Sequence, residues 1–258
     1  MTLAFVLLVA WSLACGRAPA PDDVDGLARW FWLSAGEDDA AVADAAARLD
    51  ATPAMRALGP PLEGGLRRLL PGDAAVVGLM TPDVSRAAGM VVLDVIRCPL
   101  DRVERLIAQT DQKALHGGFD RYSRTYTSDA AAYFERRVPR LDWRSEYTFS
   151  LLGTSYDAVL PGGLRRVPAQ PGFPRGPVVV AHAWLPAPAT VNGVGSYFRQ
   201  DYQVQVLYER APGEVVHLYA LWREMKLAGF DTDGGVLVGE TLDKLVAADH
   251  DFETHCGS

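Results

Sequence analysis

The chain has 258 residues, an apolar share of 49% that is ordinary for a globular protein, and a net charge of −7. That length supports one large core, or one core with a small module. The acidic balance argues against broad nucleic-acid binding, because binding phosphates needs a basic surface.

The first element is an apolar run from Leu3 to Ala14 without a charged residue. It is shorter than the ~20 residues that cross a hydrocarbon core, and Gly16, Arg17 and Pro19 interrupt the chain after it. A short apolar region closed by small residues reads as a secretory signal over residues 1–14. Its end, Ser12-Leu13-Ala14-Cys15, resembles the lipobox of bacterial lipoproteins. The resemblance implies cleavage before Cys15, acylation of Cys15, and a lipid-anchored protein of the cell envelope. Residues 15–21 then suit a flexible tether. Plain secretion, or a soluble periplasmic protein, is the alternative reading of the same run; a cytosolic apolar helix is another. With Cys15 acylated or removed, Cys98 and Cys256 remain. An even pair in an exported protein can form a disulfide; two unlinked thiols are the alternative.

Residues 22–87 read as a helical N-terminal segment. Asp22, Asp23 and Asp25 open a stretch with Leu27, Trp30, Phe31 and Leu33, and acidic residues suit a first helical turn. Gly36 stops it. Asp38 to Leu49 carries Val42, Ala45, Ala46 and Leu49 at helical spacing. A third short helix is expected over Leu62–Leu70, ended by Pro71-Gly72. Trp30-Phe31-Trp32 reads as an anchor into the core, or as a contact for lipid or a partner.

From residue 90 the period changes to two, within a domain expected over residues 88–258. Met90–Cys98 is rich in strand formers, and Pro99 ends it. Leu100, Val103, Leu106 and Ile107 make an apolar helical stripe. Strands are expected over Phe119–Ser128 and Ala131–Val138, with Asp129 in the turn between them, then over Trp143–Leu152. Residues 153–176 form a long stretch rich in Gly and Pro. Val178–Leu185 is a further strand. Tyr202, Val204, Val206 and Tyr208 alternate with Gln203, Gln205, Leu207 and Glu209; Ala211-Pro212-Gly213 turns the chain, and Val215–Trp222 returns it. Gly234-Gly235 precedes a helix with Val238, Leu242, Leu245 and Val246 on one face.

This order predicts an α+β fold: a curved antiparallel sheet of about seven strands packed on a C-terminal helix, preceded by a small helical segment. It resembles the START-like, or helix-grip, superfamily over residues 88–258. Met90–Leu106 is similar to that superfamily's first strand and following helix, and Val236–Ala248 to its closing helix. The resemblance implies an apolar small molecule or lipid held between sheet and helix.

No catalytic signature, cofactor motif or metal site emerges. His250 and His255 are five apart, so a continuous helix does not put them on one face; the segment reads as a solvated tail with a possible disulfide rather than a metal site. Asp231-Thr232-Asp233-Gly234 starts like a calcium loop, but Leu242 stands where the twelfth-position Glu belongs. Gly193-Val194-Gly195-Ser196 reads as a loop. Trp184, His182, Tyr202, His217 and Tyr219 are structural strand residues, or the wall of a pocket if the sheet closes over one. Three functions remain open: a binding module for an apolar ligand, an envelope interaction protein presenting Trp30 and Trp32, and, with least support, a cavity enzyme using His182 or His217 as base.

Overall fold

Two long strands, β8 (Tyr197–Ala211) and β9 (Glu214–Leu227), form a hairpin. Gly213 turns it at φ +76°, where a residue without Cβ is favoured. The computed structural model describes residues 19–34, 36–79, 83–151, 153–232 and 234–257. The apolar run and Cys15 lie outside these residues. Around the hairpin stand β1 (Leu62–Leu66), β2 (Ala88–Ile96), β3 (Phe119–Tyr126), β4 (Arg140–Leu151), β5 (Thr154–Val167), β6 (Val178–Trp184), β7 (Thr190–Asn192) and β10 (Phe230–Asp231). The described residues form one ten-stranded sheet ordered β1-β2-β9-β8-β6-β5-β4-β3, with β10 beside β9 and β7 beside β5. Every pairing is antiparallel.

The helices are α1 (Val24–Leu33), α2 (Asp39–Asp50), α3 (Pro53–Arg56), α4 (Leu100–Ala108), α5 (Ala130–Phe134) and α6 (Gly235–Cys256). The fold is thus α+β, as the element order predicts, with a long helix closing the chain. Asp23 caps α1 by accepting from the Gly26 amide at 2.8 Å, and Asp38 caps α2 by accepting from Ala41 at 2.8 Å.

Three segments differ from the sequence-based expectation. Leu62–Leu66 is strand β1, not a helix, and pairs with the edge of β2. Gly64 and Gly65 are poor helix formers, and the open backbone of β2 supplies hydrogen bonds that a five-residue helix could scarcely provide for itself. Residues 130–134 are helix α5, not a strand. The Asp129 side chain accepts from the Ala132 amide at 2.9 Å, so the expected turn residue is a helix cap ahead of three alanines. The Gly/Pro-rich stretch contains β5. A Cβ on Gly162 would stand 2.6 Å from the His182 carbonyl oxygen, and one on Gly163 would stand 2.7 Å from that of Leu141. Those glycines let β5 lie close against both neighbours. Pro161 falls between the part of β5 paired with β7 and the part paired with β6, where its missing N–H costs least.

Both faces of the central strands are covered. Val178 and Val180 on β6, Tyr202, Val204, Val206 and Tyr208 on β8, and Val216, Leu218, Ala220 and Trp222 on β9 pack in one cluster with α1 and α2. There Trp30, Phe31 and Trp32 are all buried, so neither tryptophan is presented to a partner. Trp32 Nε1 donates to the Asp73 carbonyl at 3.1 Å, and Arg29 holds the Asp73 carboxylate with two bonds of 2.7 and 2.8 Å. On the opposite face, α4 packs on Val179, Ala181, Leu207 and Val215, while α6 packs on Met90, Val92 and Leu221 through Leu245.

The last turns of α6 carry the disulfide that the cysteine pair allows, and they are packed on the domain rather than left as a solvated tail. Phe252 is buried, and Cys256 is joined to Cys98, just beyond β2, with the two Cα atoms 5.7 Å apart. Glu253 accepts from the Arg97 amide at 2.8 Å, and Arg102 donates to the His255 carbonyl at 2.9 Å. No helix among the described residues is long and apolar enough to cross a membrane.

Candidate functional site

Between α6 and the sheet lies a cavity of about 490 Å³, within the ~300–1,000 Å³ range of small-molecule sites. Its geometry follows from strand parity. On β8, Gln203 and Gln205 alternate with valines that face α1 and α2, so the glutamines point to the α6 side. On β9 the same parity brings Tyr219, Arg223 and Met225 to the cavity.

One end is aromatic. Phe119, Tyr122, Tyr147, Phe149 and Tyr156 from β3, β4 and β5 contact one another with ring centroids 5.0–6.2 Å apart. Leu237, Leu245, Ala248 and Phe252 of α6 form the opposite wall. Burial pushes the Tyr147 phenol well above its usual range and the Tyr156 phenol up to about 12, so both are neutral at pH 7.

A polar strip crosses the sheet side. Tyr219 donates to Gln203 Oε1 at 2.8 Å, Gln203 donates to Asp201 Oδ2 at 2.6 Å, and Arg223 holds Asp201 with bonds of 3.2 and 3.0 Å. These groups are mutually satisfied. Burial opposes the charge on Arg223, but Asp201 outweighs it and holds the guanidinium above its usual range.

The second polar group lies near α4. The half-buried Arg124 of β3 stacks over the Trp143 ring, with Cζ 4.1 Å from the centroid. Its Nε donates to Ser145 Oγ at 3.1 Å, its Nη2 to the Tyr122 hydroxyl at 2.7 Å, and its Nη1 to the Ile107 carbonyl. Burial draws its pKa below the usual arginine range. His116 also lines the cavity and meets Asp251 of α6 at 2.9 Å through Nδ1; burial lowers its pKa despite that carboxylate.

Of the five residues singled out in the sequence, only Tyr219 and His182 line the cavity. The His182 ring is engaged on the other face, where Nε2 lies 3.1 Å from the Phe31 carbonyl. Tyr202 and Trp184 also belong to that face, Tyr202 with its ring 5.5 Å from Trp32. His217 points to the α6 side beneath the cavity. Its Nδ1 is 2.6 Å from Asp249 Oδ1 and its Nε2 is 3.1 Å from Gln205 Oε1. Neither imidazole is brought to the cavity as an unengaged base. Sequence reasoning missed Gln203, Gln205, Arg124 and Arg223. For Gln203, Gln205 and Arg223 the signal was visible, as polar residues in phase on strands whose other phase is apolar; Arg124 alternates with Arg121, Ser123 and Thr125, so β3 carries no such signal.

His182 gives the fold a pH dependence. Burial lowers its pKa to about 4. The folded state therefore resists a proton that the unfolded chain accepts near pH 6.5. Its contribution is full above pH 6.5, declines as the pH falls, and is gone below about 4. The total is on the order of 3 kcal/mol. Urea unfolding at pH 7 and pH 4.5 should show a smaller loss in His182→Asn, whose amide can still donate to Phe31, than in the parent protein. His116 leaves a residual slope of the same sign.

No family model matches the chain, and no curated protein does. Solved structures are similar in fold. The human StarD13 (DLC2) lipid transfer and protein localization domain is 10% identical, covers 66% of this chain and 79% of its own, and gives a TM-score of 0.44. Human STARD10 is 7% identical over 78% of this chain and 70% of its own, at a TM-score of 0.46. A START superfamily protein from Mycobacterium smegmatis is 12% identical over 66% of this chain and 97% of its own, at 0.39. The chain's own element order is β2, then α4, then the long antiparallel run closed by α6. Layered on the outer face of the sheet are α1 and α2, and β1 extends its edge.

Proposed function

We propose that this protein binds an apolar small molecule or lipid in the cavity between α6 and the sheet, and that it does so outside the cytoplasm, held to a membrane through acylated Cys15. The observation that carries the first part is the cavity: an aromatic and aliphatic enclosure of about 490 Å³ with a small set of convergent polar groups. The second part rests on the apolar run Leu3–Ala14 and the residues Ser12-Leu13-Ala14-Cys15.

Ala183 lines the cavity from β6. An apolar fluorophore should bind the purified protein with a blue-shifted emission, and Ala183→Phe should weaken that binding at least tenfold. Overpacking carries its own penalty of about 1–3 kcal/mol, so the variant's melting curve is measured alongside. A variant that melts cooperatively yet binds the probe unchanged, or a parent protein that takes up no apolar probe, would remove the cavity from consideration. The intact mass of the protein purified from its own host tests the anchor: acyl chains on Cys15 support it, and an unmodified N-terminus cut elsewhere rules it out.

A further inference from the structure

Arg124 differs from three other shielded arginines of the sheet: Arg165 meets Asp39, Arg166 meets Glu104, and Arg223 meets Asp201. Among the described residues Arg124 has three acceptors, a serine hydroxyl, a tyrosine hydroxyl and a backbone carbonyl, all of them neutral. Among the described residues no carboxylate pairs with it. A guanidinium has five N–H donors in a fixed fork, so donors remain beyond those three. A shielded cation without a counter-charge is costly, and an anion brought beside it in a site of low dielectric is held strongly. Arg124 is also a wall of the cavity, with Trp143 stacked on its plane to hold the fork in place. The aromatic end of the same cavity, around Phe119 and Phe149, offers the opposite chemistry.

We infer that the natural ligand is a single-chain amphiphile whose acidic head group, a carboxylate or a phosphate, pairs with Arg124 while its chain lies against the aromatic end. The inference rests on the cavity being a ligand site, and it adds the charge and polarity of the occupant. Arg223 does not compete for the head group, because Asp201 already neutralises it.

The test uses four probes that displace a bound apolar fluorophore from the full chain: hexadecanoate, hexadecyl phosphate, hexadecanol and inorganic phosphate. One or both acidic amphiphiles should bind at least tenfold more tightly than hexadecanol, and whichever does names the source of the head group. Inorganic phosphate should displace nothing at the same concentrations. In Arg124→Met the preference over hexadecanol should vanish, and in Arg124→Lys part of it should return. Equal affinity for hexadecanol and both acids in the parent protein overturns the head-group assignment and leaves the apolar site standing. That arm needs no variant, so misfolding of Arg124→Met cannot mask it. Displacement by inorganic phosphate alone also overturns the assignment, because the chain would then be unnecessary. Failure of all the amphiphiles to bind overturns the apolar-site reading itself.

Discussion

Replacing His217 by alanine is expected to destabilise the protein by about 3–5 kcal/mol, because it strips the partner from a buried carboxylate. His217 and Asp249 expose 0% and 3% of their side chains and meet at 2.6 Å, joining β9 to α6. Asp249 Oδ2 has no hydrogen-bond partner among the described residues, so the carboxylate already has less support than its burial demands. Removing the imidazole takes away the donor that Asp249 Oδ1 meets at 2.6 Å. Asp94, opposite His217 in the register of β2 and β9, adds to the difficulty. Its own carboxyl is raised, by burial first and by the Asp249 charge as well. Denaturant midpoints should show the loss without a change in slope. Asp249→Asn should cost less, since no charge is left behind. The double variant His217→Ala with Asp249→Asn should be more stable than the sum of the single losses predicts. Additive effects, or a His217→Ala loss under ~1 kcal/mol, would mean that the pair does not hold α6.

Loss of the Cys98–Cys256 bond is expected to cost about 2–5 kcal/mol. The two residues are 158 apart in sequence, so the link closes most of the described chain into one loop and restricts the unfolded state strongly. The bond also acts locally. It fastens the last turn of α6 to the end of β2, and with it the lower wall of the cavity formed by Phe252. Reduction should therefore lower the melting temperature by several degrees, roughly 2–4 °C per kcal/mol for a domain of this size. It should also raise amide exchange first over residues 249–257. His217–Asp249 and Glu253–Arg97 remain after reduction, so α6 should loosen at its end rather than detach. Unchanged melting on reduction, or two titratable thiols at Cys98 and Cys256 in the denatured oxidised protein, would contradict the linkage.

Much of the architecture was legible because local chemistry and tertiary context agree. The hairpin of β8 and β9 has clean alternation and a glycine turn. β2, α4 and α6 carry their own periodicity and stop signals. The misreadings have specific causes. Gly162-Gly163 looks like loop chemistry, yet it is what allows β5 to approach the His182 and Leu141 carbonyls. Ala131–Val138 lacks a strong period, and a single cap at Asp129 decides for a helix. Leu62–Leu70 read as a helix, but Gly64 and Gly65 weaken one, and the edge of β2 recruits Leu62–Leu66 as a strand.

The site was harder to read than the fold. Alternation divides a strand into two faces, but it does not say what covers each one. On β8 the phase containing Gln203 and Gln205 has the texture of a solvent face; it faces a cavity beneath α6. The phase containing Tyr202 looked like a ligand wall; it meets Trp32 of α1. His182 and Trp184 moved to that same layer for the same reason.

The sequence by itself determined the class of fold, the central hairpin, the closing helix and the availability of a cysteine pair, because each depends on neighbours or on counting. Tertiary structure alone decided which face of the sheet α1 and α2 occupy, and therefore which side chains are left to line the cavity. It also decided that Arg124 would be enclosed without a carboxylate while Arg223 received one. Those outcomes depend on contacts between residues far apart in the chain, and a buried charge is given or denied its partner only when distant strands and helices come together.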